Sequence, residues 1–242
     1  MKEIQKVLLI VNPISGDINK ENIIQNVEAE VRKINAELTT YRTTVENDRK
    51  KIQNLVDERA FDRILIAGGD GTIKLVAEAL IDNKTPIAII PAGSANGLAL
   101  NLGIPKNLKE QISIALGNSI TQMDMLEING ELCLHIGDLG LNAELIKNYE
   151  HSRIRGKMGY LLQSIPTLWY SKYPFEFEVK LENRSFNKQG ILLAFANAKK
   201  YGTGANVNPK GKIDDGVFEI LLFKNFDTLE ILKTLRNETD VN

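Results

Sequence analysis

Cysteine is nearly absent from this chain of 242 residues: the one copy, Cys133, sits inside an apolar run. No internal disulfide can form, which excludes a disulfide-stapled secreted scaffold. Histidine is almost as scarce, with only His135 and His151, and so few nitrogen and sulfur ligands argue against a structural zinc site. No uninterrupted apolar run approaches the ~20 residues needed to span a bilayer. The opening residues lack the small-residue cleavage region of a signal peptide, and Lys6 followed by Val7–Val11 reads as a first strand. An excess of one charge is missing too: 30 basic against 31 acidic residues leave a net charge of −1, so nothing points to a nucleic-acid surface. Internal repeats and low-complexity segments are also lacking. What is present is ordinary globular composition, 43% hydrophobic and 25% charged, in a chain long enough for one large domain or two modest ones. That composition fits a cytoplasmic enzyme or binding protein.

The first part alternates strand and helix signals. Val7–Val11 is continuously apolar, as a strand buried on both faces should be. Glu21–Ile34 carries a helical stripe of Ile23, Ile24, Val27, Val31 and Ile34. Ala36–Arg42 reads as a strand, Arg49–Ala60 as a helix, Ile64–Ala67 as a strand, about Thr72 to Leu80 as a helix and Ile87–Ile90 as a strand. Such βαβ repetition predicts a parallel, Rossmann-like sheet over residues 1–120, with ligands beyond the carboxyl ends of its strands. Beyond this the pattern changes. Ile120–Ile128 and Glu131–Ile136 flank Asn129-Gly130, a strong two-residue hairpin signal. Phe175–Leu181, Gly190–Asn197 and Val217–Phe223 add β-rich runs, and Lys157–Leu168 reads as a helix. The expectation is a second, β-rich and largely antiparallel domain over 121–242.

Three glycine-bearing segments fall at the predicted strand ends: Asn12–Gly16, Gly68–Thr72 and Pro91–Gly97. Glycines admit close backbone approach, and a helix start offers unpaired N–H groups, so Gly68-Gly69-Asp70-Gly71-Thr72 suits a phosphate. Asp70 would repel a phosphate unless a cation bridges them or the acid handles a proton, which points to a nucleoside triphosphate with a divalent metal. Each loop has a plainer reading. Asn12–Gly16 and Gly68–Thr72 are also compatible with structural turns, Ser94 with capping a short helix over Leu98–Leu102, and Asp214-Asp215-Gly216 with a turn between strands.

Asn-Pro-x-Ser-Gly, Gly-Gly-Asp-Gly-Thr and Pro-x-Gly-Ser-x-Asn with Leu102–Pro105 downstream, in this order, resemble the diacylglycerol kinase catalytic domain. Bacterial lipid kinases and sphingosine kinases share that family's fold, and NAD kinases are distant relatives. The likeness runs on through Asp124, Gly137–Glu144, Arg155-Gly156-Lys157 ahead of Tyr160, Asn197, Gly202-x-Gly204, Pro209 and Asp214–Gly216. It implies a lipid kinase that passes the γ-phosphoryl group of ATP to a lipid hydroxyl, diacylglycerol or a sphingoid-like alcohol, with Mg²⁺. By the resemblance, Asn12, Thr43, Gly68, Gly69, Asp70, Gly71, Thr72, Gly93, Ser94 and Asn96 line the nucleotide. Asp70 and Asp124 belong to a catalytic acidic network, and Asp215 with the carbonyls of Lys212 and Val217 holds a metal. The implied partner is a lipid presented at a membrane surface, for a cytoplasmic protein attached peripherally; a homo-oligomer stays open.

Some positions depart from the family pattern. Lys74 and Leu75 stand where x-Asn-Glu is common, Gly97 and Leu100 where Asp and later Arg are frequent, and His135 and Asn142 where Asn and Asp occur. Relatives continue with further strands and an Asp-Gly-Glu segment regarded as the source of the general base. The Asp-Gly pairs here, Asp70-Gly71 and Asp215-Gly216, are not followed by Glu. The expectation is therefore a chain shortened at its C-terminus, with an incomplete second domain and impaired transfer unless Asp70 takes over as base, as its counterpart does in sphingosine kinases. The alternative is a nucleotide-binding family member without catalysis, in a regulatory role. The stretch from Lys157 to Tyr173, with Trp169 among flanking basic residues, reads first as an ordinary core-facing helix with solvated ends, with a lipid-facing helix as the alternative.

Overall fold

Strand β1 (Lys6–Val11) is buried along Val7–Val11, and β3 (Arg63–Gly68) is buried throughout. Continuous burial marks central strands covered on both faces. In this computed structural model, which describes residues 3–140, 174–201, 204 and 206–224, they lie side by side and in parallel. Strand β2 (Glu37–Arg42) pairs with the free side of β1 and β4 (Ile87–Pro91) with that of β3, giving the parallel order β2-β1-β3-β4. The chain turns outward to β2 after β1 and outward to β4 after β3, so the switch point lies between β1 and β3.

Helix α1 (Lys20–Lys33) starts where Asn19 accepts the Asn22 N–H, and it buries Ile23, Val27 and Val31. That stripe joins Val7, Leu9, Val11, Leu65, Ala67 and Ile90 in one core with Ile112 and Ala115 of α5 (Leu108–Ala115). The other face carries α2 (Asp48–Glu58) and α3 (Asp70–Ala79), which pack together through apolar stripes that include Ile52, Val56, Ile73 and Val76. Helix α5 follows the sequence Asn107-Leu-Lys-Glu, and Asn107 caps it by accepting the Lys109 and Glu110 N–H groups. A short helix, α4 (Gly97–Asn101), follows β4.

The chain divides into two compact units, Met1–Leu134 and His135–Asn242. The hairpin of β5 (Leu126–Ile128) and β6 (Glu131–Cys133) ends the first unit, turning on Asn129 (φ +54°) and Gly130 (φ +81°). Both central residues at positive φ match the primed turn that Asn-Gly favours. The continuous run expected over Glu131–Ile136 is two strands, since β7 (Ile136–Gly140) joins a different sheet in the second unit. There, β7 pairs antiparallel with β10 (Leu192–Ala196), and β10 with β11 (Glu219–Phe223). Ile191, Leu192 and Ala194 anchor a small core against Ile136, Leu221 and Phe223. A separate antiparallel pair joins β8 (Phe175–Leu181) to β9 (Arg184–Gly190). The architecture is thus a parallel α/β unit followed by antiparallel β structure. The helix expected over 157–168, with Asn142, His151, Arg155–Lys157, Tyr160 and Gly202, lies outside the described residues.

Candidate functional site

The carboxyl ends of β1, β3 and β4 carry the three glycine-bearing loops, and these loops lock onto one another. The Asn12 Nδ2 donates to Thr72 Oγ1 at 3.0 Å, while Asn12 Oδ1 accepts the Ile14 N–H at 3.1 Å. One side chain therefore shapes the first loop and joins it to the second. Thr72 is buried, and a Cβ added at Gly68 would lie 2.5 Å from its Oγ1. Gly69 and Gly93 meet backbone to backbone: a Cβ on Gly69 would stand 3.0 Å from Gly93 Cα. Gly16 (φ +52°) abuts the third loop, where a Cβ would lie 2.8 Å from the Ala92 carbonyl oxygen. The glycines of the three loops permit contacts that side chains would prevent.

Asp70 joins the second loop to the third. Its Oδ2 accepts the Gly97 N–H at 2.7 Å and its Oδ1 the Leu98 N–H at 2.9 Å. These are orphan donors at the start of α4, whose N-cap residue Asn96 is left-handed (φ +59°) and makes no side-chain cap of its own. Asp70 therefore caps this helix from a neighbouring loop, the task that the plainer reading of the third loop gave to Ser94; Ser94 is exposed at the loop tip. The Asn96 side chain turns back on Gly93, with Oδ1 accepting its N–H and Nδ2 donating to its carbonyl, both at 2.8 Å. Both ends of that amide are thus engaged within the loop. Gly71 stands at the open side of the second loop, with nothing within 4 Å of where a Cβ would be.

Lys20, which sequence reasoning passed over as the first residue of a helix, is only 6% exposed. Its ammonium donates to the carbonyls of Ser15, Ile18 (2.9 Å) and Ala92 (3.2 Å), and the Ser15 hydroxyl reaches the same Ala92 oxygen at 3.0 Å. Burial pushes this amine below its ordinary range, and the nearby Asp17 charge opposes that in part. The only sequence signal was the spacing Ser15-Gly16-x-x-x-Lys20.

Thr43 follows β2, buried, with its N–H donated to the Val11 carbonyl at 2.9 Å. The next residues form a turn around Asp48, which is 5% exposed. Asp48 accepts the N–H groups of Thr44 (2.9 Å) and Val45 (2.7 Å), the Thr44 hydroxyl (3.1 Å) and the Tyr41 hydroxyl (2.6 Å). Burial opposes its ionisation, but these donors outweigh burial and hold the carboxyl below the usual range. The bonds also stabilise Val45 at φ +72°, a conformation that β-branched residues rarely adopt.

Asp124 is half-buried in the irregular segment entering β5. Lys212, Asp215 and Val217 fall in one exposed turn of the second unit, where Gly216 has φ +71° and the Val217 N–H donates to Asp215 Oδ1 at 3.2 Å. Carboxylate and carbonyl oxygens are hard donors of the kind Mg²⁺ takes while keeping several waters. Among the described residues no three His, Cys, Asp or Glu side chains cluster as a metal cage. Of the departures, Lys74 bridges α3 to β6 by pairing with Glu131 at 2.7 Å and lies 3.5 Å from Glu78. Leu75 is half-buried and Leu100 is 41% exposed. A cavity of about 440 Å³ opens at the opposite end of the sheet, beside Ile4, Ile34, Asn35 and Leu116. It has none of the glycine loops, so the candidate site stays at the strand carboxyl ends.

Residues 6–128 match the diacylglycerol kinase catalytic domain, and residues 138–240 match the YegS C-terminal NAD kinase beta sandwich-like domain. The chain is 26% identical over 236 residues to a diacylglycerol kinase of Bacillus subtilis, covering 95% of this chain and 77% of that protein. It is 25% identical over 238 residues to a probable YegS-like lipid kinase of Chromohalobacter salexigens, covering 96% of this chain and 75% of that one. The crystal structure of a diacylglycerol kinase from Bacillus anthracis superposes with a TM-score of 0.73 at 24% identity, over 100% of this chain and 80% of the other, a likeness of fold.

Proposed function

The chain belongs to the diacylglycerol kinase catalytic domain family, and from that premise we propose that it is an ATP-dependent lipid kinase that uses Mg²⁺ and acts on a lipid alcohol at a membrane surface. The observation that carries the reading is the mutual locking of three strand-end loops beside the switch point, through Asn12–Thr72, Gly69 against Gly93, and Asp70 on the amides of Gly97 and Leu98. Phosphoryl transfer depends on positioning and charge neutralisation more than on covalent chemistry, so a rigid backbone cradle is what the reaction requires.

In this reading the lipid hydroxyl oxygen forms a bond to the γ-phosphorus as the bond to the β,γ-bridging oxygen breaks; ADP leaves, and the hydroxyl proton passes to an acceptor. Backbone amides of the Gly69–Gly71 turn hold the phosphates, Gly93, its own N–H taken by Asn96, lets the third loop approach closely, and the start of α3 directs its partial positive charge there. Asn12 and Thr72 keep the first two loops in register. Asp70, with both carboxyl oxygens on backbone amides, fixes the third loop against the second. Asp124 is the second acid of the first unit in this reading, and in the second unit Asp215, with the carbonyls of Lys212 and Val217, would hold Mg²⁺. A divalent ion arriving with ATP would neutralise charge on the phosphates. No helix among the described residues is long and apolar enough to cross a membrane, which is compatible with a lipid met at a surface.

The test is transfer of labelled γ-phosphate from ATP into the organic extract of mixed micelles containing diacylglycerol or a sphingoid base. Label in one lipid is the expected result. ATP binding with no label in any lipid would leave a nucleotide-binding protein without kinase activity, and absence of ATP binding would overturn the site itself.

A further inference from the structure

Lys20 occupies a position that elementary electrostatics disfavours twice. It is buried, and it is the first residue of a helix of 14 residues, where the macrodipole is positive. An ammonium has three donors and no acceptor, and here the three find the carbonyls of Ser15, Ile18 and Ala92. One of these carbonyls belongs to the first loop, one to the turn between that loop and α1, and one to the third loop, so a single charge gathers chain segments 72 residues apart. In a trans peptide the N–H points away from the carbonyl, so drawing the Ala92 oxygen toward Lys20 turns the Gly93 N–H the other way, where Asn96 Oδ1 receives it at 2.8 Å. The 92–93 peptide is thereby held at both ends, with Lys20 and the Ser15 hydroxyl on its oxygen and Asn96 on its nitrogen. That peptide carries Gly93, the residue in backbone contact with Gly69.

We infer that Lys20 is a positioning residue of the nucleotide site: its buried ammonium sets the plane of the 92–93 peptide and so the fit of the third loop against the phosphate-binding second loop. The inference rests on the nucleotide reading above. With its ammonium buried and bonded to carbonyls, Lys20 acts through Ser15 and Ala92.

The experiment measures Kd for Mg-ATP by calorimetry, and KM for ATP and for lipid where turnover is present, in wild type, Lys20→Met, Lys20→Arg and Lys33→Met. Lys33 is the control, an exposed lysine at the far end of the same helix paired to Glu30. Lys20→Met is expected to raise the Kd and KM for ATP about tenfold or more, the worth of a charge-assisted hydrogen bond. The KM for lipid stays within about twofold, and Lys33→Met leaves both unchanged, because only the phosphate-side loops move. Arginine keeps the charge, but its planar fork cannot aim three donors at three converging carbonyls, so Lys20→Arg is expected to stay folded and still bind ATP severalfold more weakly. If Lys20→Met does not fold, Lys20→Arg alone decides. Wild-type ATP affinity in a folded Lys20 variant, or a merely lowered melting temperature with unchanged Kd, overturns the inference. Failure of wild type itself to bind Mg-ATP overturns the nucleotide reading on which it rests.

Discussion

Replacing Gly93 by alanine tests the contact on which the candidate site depends. The added methyl carbon would lie 3.0 Å from both Gly69 N and Asn96 Oδ1, and closer still to Gly69 Cα. Carbon atoms pack at about 3.5–4.0 Å, so the two loops must separate by about 1 Å. Flexible side chains are not in the way here: the obstacles include backbone of the second loop and an amide already bonded twice to Gly93. Overpacking of this kind costs about 1–3 kcal/mol. At about 2–4 °C per kcal/mol for a chain of this size, the melting temperature falls by about 2–12 °C, measured by circular dichroism or calorimetry. A displacement of about 1 Å in a positioning loop lowers kcat/KM for phosphoryl transfer about a hundredfold. The functional loss should therefore exceed what the lost stability explains, with the variant still folded at the assay temperature. Gly71→Ala is the internal comparison, since no atom lies within 4 Å of its added methyl and the melting temperature should hold. If Gly93→Ala melts like wild type and binds Mg-ATP with unchanged Kd, the close approach of the two loops is not what shapes the site.

Asp70→Asn places an amide nitrogen against the N–H of Gly97 or Leu98, so it should loosen α4 and lower turnover by at least tenfold; turnover left intact in a labelled-phosphate assay would exclude both an anchoring and a proton-accepting role. The Tyr41 phenol is pushed up to about 12 by burial and its hydrogen bond to Asp48, so its contribution to stability is complete below about pH 10 and is lost as pH rises toward 12. Ultraviolet titration should accordingly give the same phenolate absorbance up to about pH 10.5 in wild type and Tyr41→Phe. Asp48 has its carboxyl held down, so its contribution is complete above about pH 4 and is lost as pH falls through the lowered value; Asp48→Asn should flatten the acid limb of the stability–pH curve. The exposed Lys74–Glu131 pair should matter little: Lys74→Met should change stability by less than about 1 kcal/mol in denaturant titration.

The parallel sheet was legible because Val7–Val11 and Ile64–Ala67 are unbroken apolar runs, a pattern that buried central strands require. The β5–β6 turn was legible because Asn129-Gly130 tolerates positive φ at both positions. Strand β9 was not, because Arg184–Gly190 is polar apart from Phe186, exposed except at its last residue, and shows no alternation. Helix α5 was passed over although Asn107 and Glu110 carry a start signal. The glycine loops could be found by composition and by their places at strand ends, but the uses of their polar side chains could not. Asp70 reads as an acid beside phosphate, whereas the adjacency of β3 and β4 puts it on the amides of α4. Asn96 reads as a ligand donor, whereas its left-handed backbone turns the amide onto Gly93. Lys20 drew no reading from the sequence, because its partners are the carbonyls of loops after β1 and β4 that converge on it only in the fold. In each case the partner is distant in sequence, and periodicity carries no information about it.

The most direct test of the account is to follow backbone amide resonances during titration with Mg-ATP. The largest shifts should cluster in Asn12–Gly16, Gly68–Thr72 and Pro91–Asn96 at the carboxyl ends of β1, β3 and β4, with Ile4, Ile34 and Leu116 at the other end of the sheet unmoved. Saturable shifts confined to that other end, or no shifts at millimolar Mg-ATP, would contradict it.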